Sequence, residues 1–392
     1  MRILMVSKVY SPVLGGVENY LRDLIRVLGD RCSITVLTSH GAFRTVRESI
    51  DGVNVIKAGS LGNLRSNPIS PFFTSVFEKV LRKYGPFDVV NLHLPNPTAM
   101  WAYWRVSPPG KLVLSWHGDI IRQRFLYRLV CPLERAILGR ADLVLATTQA
   151  YLETSEPLRN FASKTRICPY FIDLEAINSV PPTRPENAPE KRDGERWVCS
   201  VSRLVDWKGV QILIRAMPHL PPHYRALVVG KGPYAQTLKR LADETGCAER
   251  IHFLGQQSMS DGTLQWCLKQ SDVFSFSSLS RNESFGIAQL EAMAFGLPII
   301  ASDIYGGKRA LLLEPERTGT VVPVGDPRAH AEAIRRFAED PALLEEAARR
   351  GREIIETTYT PERCAKLYLE LLSELFRQAS GDLPLKIPST AS

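Results

Sequence analysis

Between Ser280 and Ile300 the sequence runs Ser-Arg-Asn-Glu-Ser-Phe-Gly-Ile-Ala-Gln-Leu-Glu-Ala-Met-Ala-Phe-Gly-Leu-Pro-Ile-Ile, which sets two carboxylates, Glu283 and Glu291, in one short segment. Glu283 falls in a loop, and Ser284, Phe285 and Gly286 open a helix that Gly296-Leu-Pro298 ends. Glu291 lies about two turns into it. The free N–H groups and the positive dipole end at such a start suit an anion or hydroxyl oxygens. A carboxylate accepts two hydrogen bonds from a vicinal diol, so this pair could hold opposite ends of one extended ligand. Ala, Leu, Met and Phe surround Glu291, which is not the setting of an ordinary surface acid.

Other segments offer matching chemistry. In Ser200-Val-Ser-Arg-Leu-Val-Asp-Trp-Lys-Gly209, a strand runs into a loop that carries Arg203 and Lys208. The guanidinium can fork onto phosphate oxygens and the ammonium adds a point charge, so the pair suits a diphosphate; surface ion pairing is the alternative. His117 and Asp119 end the strand Leu112–Trp116, where an imidazole could donate to a hydroxyl or serve a structural role. Gly15 and Gly16 precede a helix, which fits close approach of backbone N–H groups to an anion or a plain tight turn. Arg124 and Arg128 make a basic i, i+4 stripe or a solvated face. Gly230-Lys-Gly-Pro-Tyr-Ala235 is an imperfect dinucleotide fingerprint, since the third glycine is Ala235, and a strand-to-helix turn explains it.

Short apolar runs alternating with amphipathic stretches position these residues and predict an α/β protein with parallel sheets. The expected strands of the first half are 3–7, 33–38, 53–57, 89–93, 112–116 and 143–146. Those of the second are 197–201, 226–229, 251–254, 273–276, 299–301 and 319–322. Helices are expected over 17–28, 72–84 and 361–378. Four prolines between Pro181 and Glu190 can continue neither a helix nor a central strand. The expected plan is a first domain over 1–175, a linker over 176–195, a second domain over 196–360 and a loose tail over 379–392. Helix 361–378 is free to pack back on the first domain. Ligands of two such doubly wound sheets bind where the carboxyl ends of the strands face a cleft.

The chain has 392 residues and a formal charge of +8, all of it in residues 1–180, which hold 22 basic and 14 acidic side chains. A basic half beside a neutral one points to an anionic partner: nucleic acid, membrane surface or phosphorylated substrate. Seven scattered cysteines without a Cys-x-x-Cys pair argue against zinc or a disulfide framework and fit a reducing compartment. The opening Met-Arg-Ile-Leu-Met-Val reads as a strand, not a signal peptide. No run nears the ~20 apolar residues of a membrane span, so any membrane contact is expected to be peripheral.

With Gly15-Gly16, His117, Arg203, Lys208 and the Glu283–Glu291 pair in this order, the chain resembles the retaining glycosyltransferases of family 4, from about Met1 to Gln378. The resemblance implies a GT-B fold of two Rossmann-like domains facing across a cleft. It implies that the backbone at Gly15 and Gly16 borders the donor diphosphate and the acceptor, and that His117 touches the donor sugar. Arg203 and Lys208 would neutralise the leaving diphosphate. Glu283 with the Phe285 and Gly286 amides would hold the sugar hydroxyls, Glu291 the ribose, and Gly255 would begin the loop beside the base. Asp119 and Ser284 join this set as substrate contacts.

Asn91-Leu-His-Leu-Pro-Asn-Pro97 and Trp116–Gln123 resemble bacterial mannosyl- and rhamnosyltransferases of O-antigen and capsule assembly, which implies a GDP-mannose-type donor. The partners so implied are a nucleotide sugar, a lipid-linked or glycan acceptor and the anionic inner face of the plasma membrane, without nucleic acid. No cofactor and no metal are expected, and no Asp-x-Asp motif ends a strand. Two positions depart from the family pattern: Phe171 in Pro169-Tyr-Phe-Ile-Asp173, and Ala310 after Gly306-Gly307. A nucleotide-sugar epimerase of the same fold, a UDP-sugar transferase and a non-catalytic sensor are the competing readings. An NAD-linked oxidoreductase is a further one, and Ala235 counts against it.

Overall fold

The computed structural model describes residues 1–10, 16–64, 67–68, 70–120, 124–281, 283–305 and 317–379. Gly15, Ala310 and the tail beyond residue 379 lie outside these. The chain forms two compact units, Met1–Pro169 with Pro361–Ser392, and Tyr170–Thr360.

The first unit is built on β1 (Arg2–Val6), β2 (Ser33–Ser39), β3 (Val46–Ile50), β4 (Val53–Ala58), the short ladder of β5 (Asn63–Leu64) and β6 (Asn67–Pro68), β7 (Val89–Leu94), β8 (Lys111–Trp116), β9 (Leu143–Ala146) and β10 (Thr165–Ile167). Its main sheet has the order β10-β9-β8-β7-β1-β2-β4-β3. All pairs are parallel except β3 with β4. Every residue of β7 is buried, as expected of a strand covered by helices on both faces. The chain leaves β1 toward β2 and later returns to β7 on its other side, so the crevice beyond the carboxyl ends of β1 and β7 is the switch point.

The second unit holds β11 (Arg196–Val201), β12 (Tyr224–Val229), β13 (Ile251–Gly255), β14 (Val273–Phe276), β15 (Ile299–Ser302) and β16 (Gly319–Val322), in the order β13-β12-β11-β14-β15-β16 and all parallel. Its switch point lies beyond β11 and β14. Val198, Val228, Val273 and Ile300 from four strands pack with Leu213, Ile214, Ile334 and Phe337 from two helices into one apolar core.

The C-terminal helix Pro361–Ala379 belongs to the first unit, where it packs on the helix Gly16–Leu28. Cys364, Ala365, Tyr368, Leu371, Leu372 and Leu375 are its buried stripe, a spacing that keeps one face inward. The buried Tyr368 hydroxyl accepts a hydrogen bond from Asn91 Nδ2 at 2.9 Å, and Ser115 Oγ donates to Asn91 Oδ1 at 3.1 Å.

The proline-rich stretch read as a linker is held to the second unit. Thr183 N donates to Gly262 O, and Lys191 Nζ bonds Gln270 O and Asp272 Oδ2. Proline denies this segment a ladder of its own, and side chains and single backbone bonds pin it instead. The chain passes between units at Pro169–Tyr170 and Thr360–Pro361. Phe171 is buried beside that point, and Ile172 N donates to Tyr359 O. Among the described residues no helix is long and apolar enough to cross a membrane.

Tyr368→Phe leaves Asn91 Nδ2 without its acceptor in a dry core, at a cost of about 1–3 kcal/mol. Calorimetry should show the melting temperature lowered by about 2–8 °C; an unchanged value would contradict this network.

Candidate functional site

At the second switch point the loops after β11 and β14 are joined backbone to backbone. Leu279 N donates to Trp207 O at 2.8 Å, and Ser277 Oγ donates to Gly209 O at 2.8 Å. Gly209 has φ +73°, and a Cβ there would stand 1.8 Å from Ser277 O, so only glycine fits this seam.

Across the seam Lys208 Nζ bonds Glu283 Oε2 in an ion pair whose side chains are 17% and 10% exposed. Ser278 Oγ donates to the same oxygen at 3.3 Å, and the Tyr305 hydroxyl donates to the Glu283 carbonyl. The ammonium also stands 4.8 Å from the Trp207 ring centroid, a cation–π contact. The sequence placed Lys208 on a phosphate and Glu283 on a sugar; the structure puts them in direct contact. Exposed Arg203 occupies the start of the same loop.

Buried Ser284 and Phe285 follow, and Gly286, at φ +81°, caps the helix Ile287–Ala294. The Phe285 side chain faces protein: its ring lies 4.8 Å from that of Tyr170 and 6.0 Å from that of Tyr359. Any ligand contact from Phe285 is therefore left to its backbone. Glu291 is half-buried in this helix, and burial pushes its carboxyl up to about 7. Gly255 ends β13, and its carbonyl accepts from Gly230 N at 2.6 Å. A Cβ on Gly230 would meet Ser202 O at 1.8 Å. The glycine turn after β12 thus lets two backbones cross below the Arg203 loop, where Leu204 N donates to Lys231 O.

At the first switch point Gly16 begins the helix Gly16–Leu28. His117 follows β8, its backbone N donating to Leu94 O at the end of β7. Its Nε2 shares a 2.8 Å hydrogen bond with Nδ1 of His93, the two rings stack at 5.1 Å, and Tyr20 meets His117 edge-on at 6.4 Å. Burial lowers both imidazoles, His93 to about 3, and His117 further through its histidine neighbour, so both are neutral. Asp119 Oδ1 accepts from Trp116 Nε1 and Ser155 Oγ, each at 2.9 Å, so one carboxylate oxygen fixes the loop itself.

Sequence reasoning left two residues here unassigned. His93 alternates with Asn91 inside an otherwise apolar central strand, which was a readable signal. Glu134, buried in the helix Arg124–Arg140, accepts from the Tyr127 hydroxyl at 2.7 Å, and burial raises it to about 7. No local pattern marks it out.

Comparison with known proteins gives the same division of the chain. The model of Glycosyltransferase Family 4 matches residues 14–176, and that of Glycosyl transferases group 1 matches residues 184–354. The D-rhamnosyltransferase WbpZ of Pseudomonas aeruginosa is 32% identical over 361 residues, which cover 89% of this chain and 90% of its own. The O-antigen chain mannosyltransferase C of Escherichia coli is 25% identical over 97% of this chain and its entire length. Among solved structures, sucrose-phosphate synthase from Thermosynechococcus elongatus superposes with a TM-score of 0.80 at 24% identity, covering 96% of this chain and 99% of its own, a likeness of fold. The chain belongs to the family 4 glycosyltransferases and is a glycosyltransferase enzyme of the GT-B fold.

Proposed function

We propose that this enzyme moves mannose or a related deoxyhexose from a GDP-sugar to a lipid-linked or glycan acceptor in cell-surface polysaccharide synthesis, with retention of configuration. The observation that carries the reading is the Lys208–Glu283 contact at the second switch point, inside the region matched by the group 1 model. The relatives named for rhamnosyl and mannosyl transfer support the choice of sugar.

In this reading the donor enters between the paired charges. Its diphosphate takes the place of the carboxylate beside Lys208, with Arg203 as a second cation, and its sugar hydroxyls replace the ammonium at Glu283. As the bond between sugar C1 and the diphosphate oxygen breaks, negative charge grows on the diphosphate, where two fixed cations and the N–H groups heading the helix Ile287–Ala294 stabilise it. Side chains supply this neutralisation without a metal or other cofactor. The acceptor hydroxyl attacks C1 from the side the diphosphate leaves, and a departing phosphate oxygen takes its proton. In this reading the Glu283 carboxylate is taken up by the sugar hydroxyls and Ser278, which leaves it poorly placed as a nucleophile and supports front-face attack.

Gly255 would border the base, and Ser284 with the backbone of Phe285 and Gly286 the sugar; the family resemblance gives His117, Asp119, Gly15 and Gly16 substrate-contacting roles of their own. The acceptor side faces an anionic cytoplasmic membrane surface. The excess charge of residues 1–180 supports this, as do exposed Trp101 and Trp104 on the helix Pro97–Val106, with Arg105 beside them and Arg140 bonded to Ser107 Oγ.

Two variant sets test the donor site. Lys208→Met or Glu283→Gln alone strands a buried charge and lowers stability by about 3–5 kcal/mol. The double variant should recover most of that stability yet lack turnover; a double variant that regained activity would reduce the pair to a structural role.

Glu291 sets a pH dependence. Its folded carboxyl titrates at about 7, above its ordinary range. Its burial penalty is therefore absent at acid pH, grows as pH rises from the carboxylate range toward 7, and stays constant above it. Ribose hydroxyls donate to the ionised form, so GDP-mannose affinity should rise from pH 6 to pH 8. Glu291→Gln should raise the free protein's melting temperature at pH 8 by about 2–4 °C and abolish the pH dependence of GDP-mannose binding. In thermal-shift titration GDP-sugars should stabilise the wild type more than UDP- or dTDP-sugars; a larger shift with UDP-sugars would overturn the donor assignment.

A further inference from the structure

Three glutamines are buried among the described residues, Gln211, Gln265 and Gln289, at 7%, 1% and 0% exposure. Each sits in the helix that follows one loop of the second sheet: Val210–Ala216 after β11, Thr263–Gln270 after β13 and Ile287–Ala294 after β14. Each reaches back to a backbone carbonyl of its own loop. Gln211 Nε2 donates to Asp206 O at 2.7 Å, Gln265 Nε2 to Met259 O at 2.6 Å and Gln289 Nε2 to Phe285 O at 3.4 Å. A carbonyl only accepts, so the nitrogen end of each amide must face it. The other end, Oε1, is in all three cases buried with no hydrogen-bond partner among the described residues.

Such an amide gains little for stability, since one hydrogen bond is made and one oxygen is stranded. What the three share is the kind of backbone they hold. The Asp206 carbonyl also accepts from Gly209 N at 3.2 Å, so Gln211 closes the single turn Asp206–Lys208 from which the Lys208 ammonium reaches Glu283. Gln265 ties down the loop that leaves β13 at Gly255. Gln289 lies against Gly286, where a Cβ would stand 2.5 Å from its Nε2. In a trans peptide the C=O and N–H point opposite ways, so holding the Phe285 carbonyl turns the Gly286 N–H away from Gln289.

We propose that Gln211, Gln265 and Gln289 are positioning residues for the donor nucleotide sugar. Each amide fixes one loop from the helix that follows it: the first for the diphosphate, the second for the base and the third for the sugar. The proposal rests on the reading of these loops as the donor site. It adds the residues that set the loop backbones, and it gives each a different part of the ligand. Loops built in advance need no reordering when the donor binds or when charge grows on the diphosphate.

Methionine keeps the length of glutamine and nearly its volume while removing both amide ends. Full-length Gln211→Met, Gln265→Met and Gln289→Met are compared with the wild type by thermal melts and by calorimetric titration with GDP and with GDP-mannose. Turnover is followed with a polyprenyl-diphosphate-linked glycan acceptor. Each substitution frees one carbonyl and deletes one stranded Oε1, so melting temperatures should stay within about 3 °C of wild type. Gln265→Met should weaken GDP and GDP-mannose alike, by about tenfold. Gln289→Met should weaken GDP-mannose about tenfold and leave GDP within about twofold, because only the sugar loop is disturbed. Gln211→Met should lower kcat about tenfold with a smaller change in KM. Leucine at the same three positions repeats the comparison with a second apolar shape.

Variants that bind and turn over as the wild type does, or that lose melting temperature and every activity in parallel, overturn the positioning role and leave the site reading intact. Wild-type turnover of GDP-mannose in the double variant Lys208→Met, Glu283→Gln overturns the site reading itself, and this role with it.

Discussion

The ion pair between Lys208 and Glu283 can exist only because the loops after β11 and β14 meet as backbones, with a glycine where any Cβ would collide. Burying two opposite charges gives little net stability over an apolar pair, while stranding either one is costly. The arrangement makes more sense as storage of a cation and an anion at fixed positions. A ligand carrying a diphosphate at one end and hydroxyls at the other can satisfy both at once. Ser278, Tyr305 and Trp207 hold the pair from three further sides, so little reorganisation remains for the moment when charge develops.

Both units follow one construction rule. Each sheet reverses its strand order once, between β1 and β7 or between β11 and β14, and the polar side chains gather beyond those strands. In the first unit the gathered groups are two stacked imidazoles beside a tyrosine, with an aspartate already engaged by Trp116 and Ser155. In the second they are charged. Phe285, between the Glu283 loop and its helix, is anchored on Tyr170 and Tyr359, which flank the two points where the chain leaves the unit.

Apolar runs bounded by turn residues made most strands readable, since parallel strands are buried on both faces. Four strands escaped, among them the two-residue strands Asn63–Leu64 and Asn67–Pro68. Val46–Ile50 is an antiparallel edge strand, almost wholly exposed, and Val-Arg-Glu-Ser-Ile shows no inward face; Thr165–Ile167 is too short for a pattern. Glu283 and Lys208 were readable as site residues but not as partners, because 75 residues separate them and only the sheet order brings their loops together. Glu134 was invisible for another reason: its partner Tyr127 lies seven residues back in the same helix, but no local pattern marks the pair as buried. Phe285 was read for its backbone amide alone, and a Phe-Gly step at a helix start says nothing of where the ring goes. The proline-rich stretch was read correctly as irregular, yet irregular chain can still be pinned to one unit.

The central claim is that a sugar departs from a diphosphate and is delivered with its anomeric configuration retained. GDP-mannose carrying 13C at C1, incubated with a polyprenyl-diphosphate-linked glycan acceptor, reports this in the one-bond C1–H1 coupling of the product. An α-mannoside formed together with stoichiometric GDP is the predicted result. A β-mannoside, or release of GDP with free mannose alone, would contradict it.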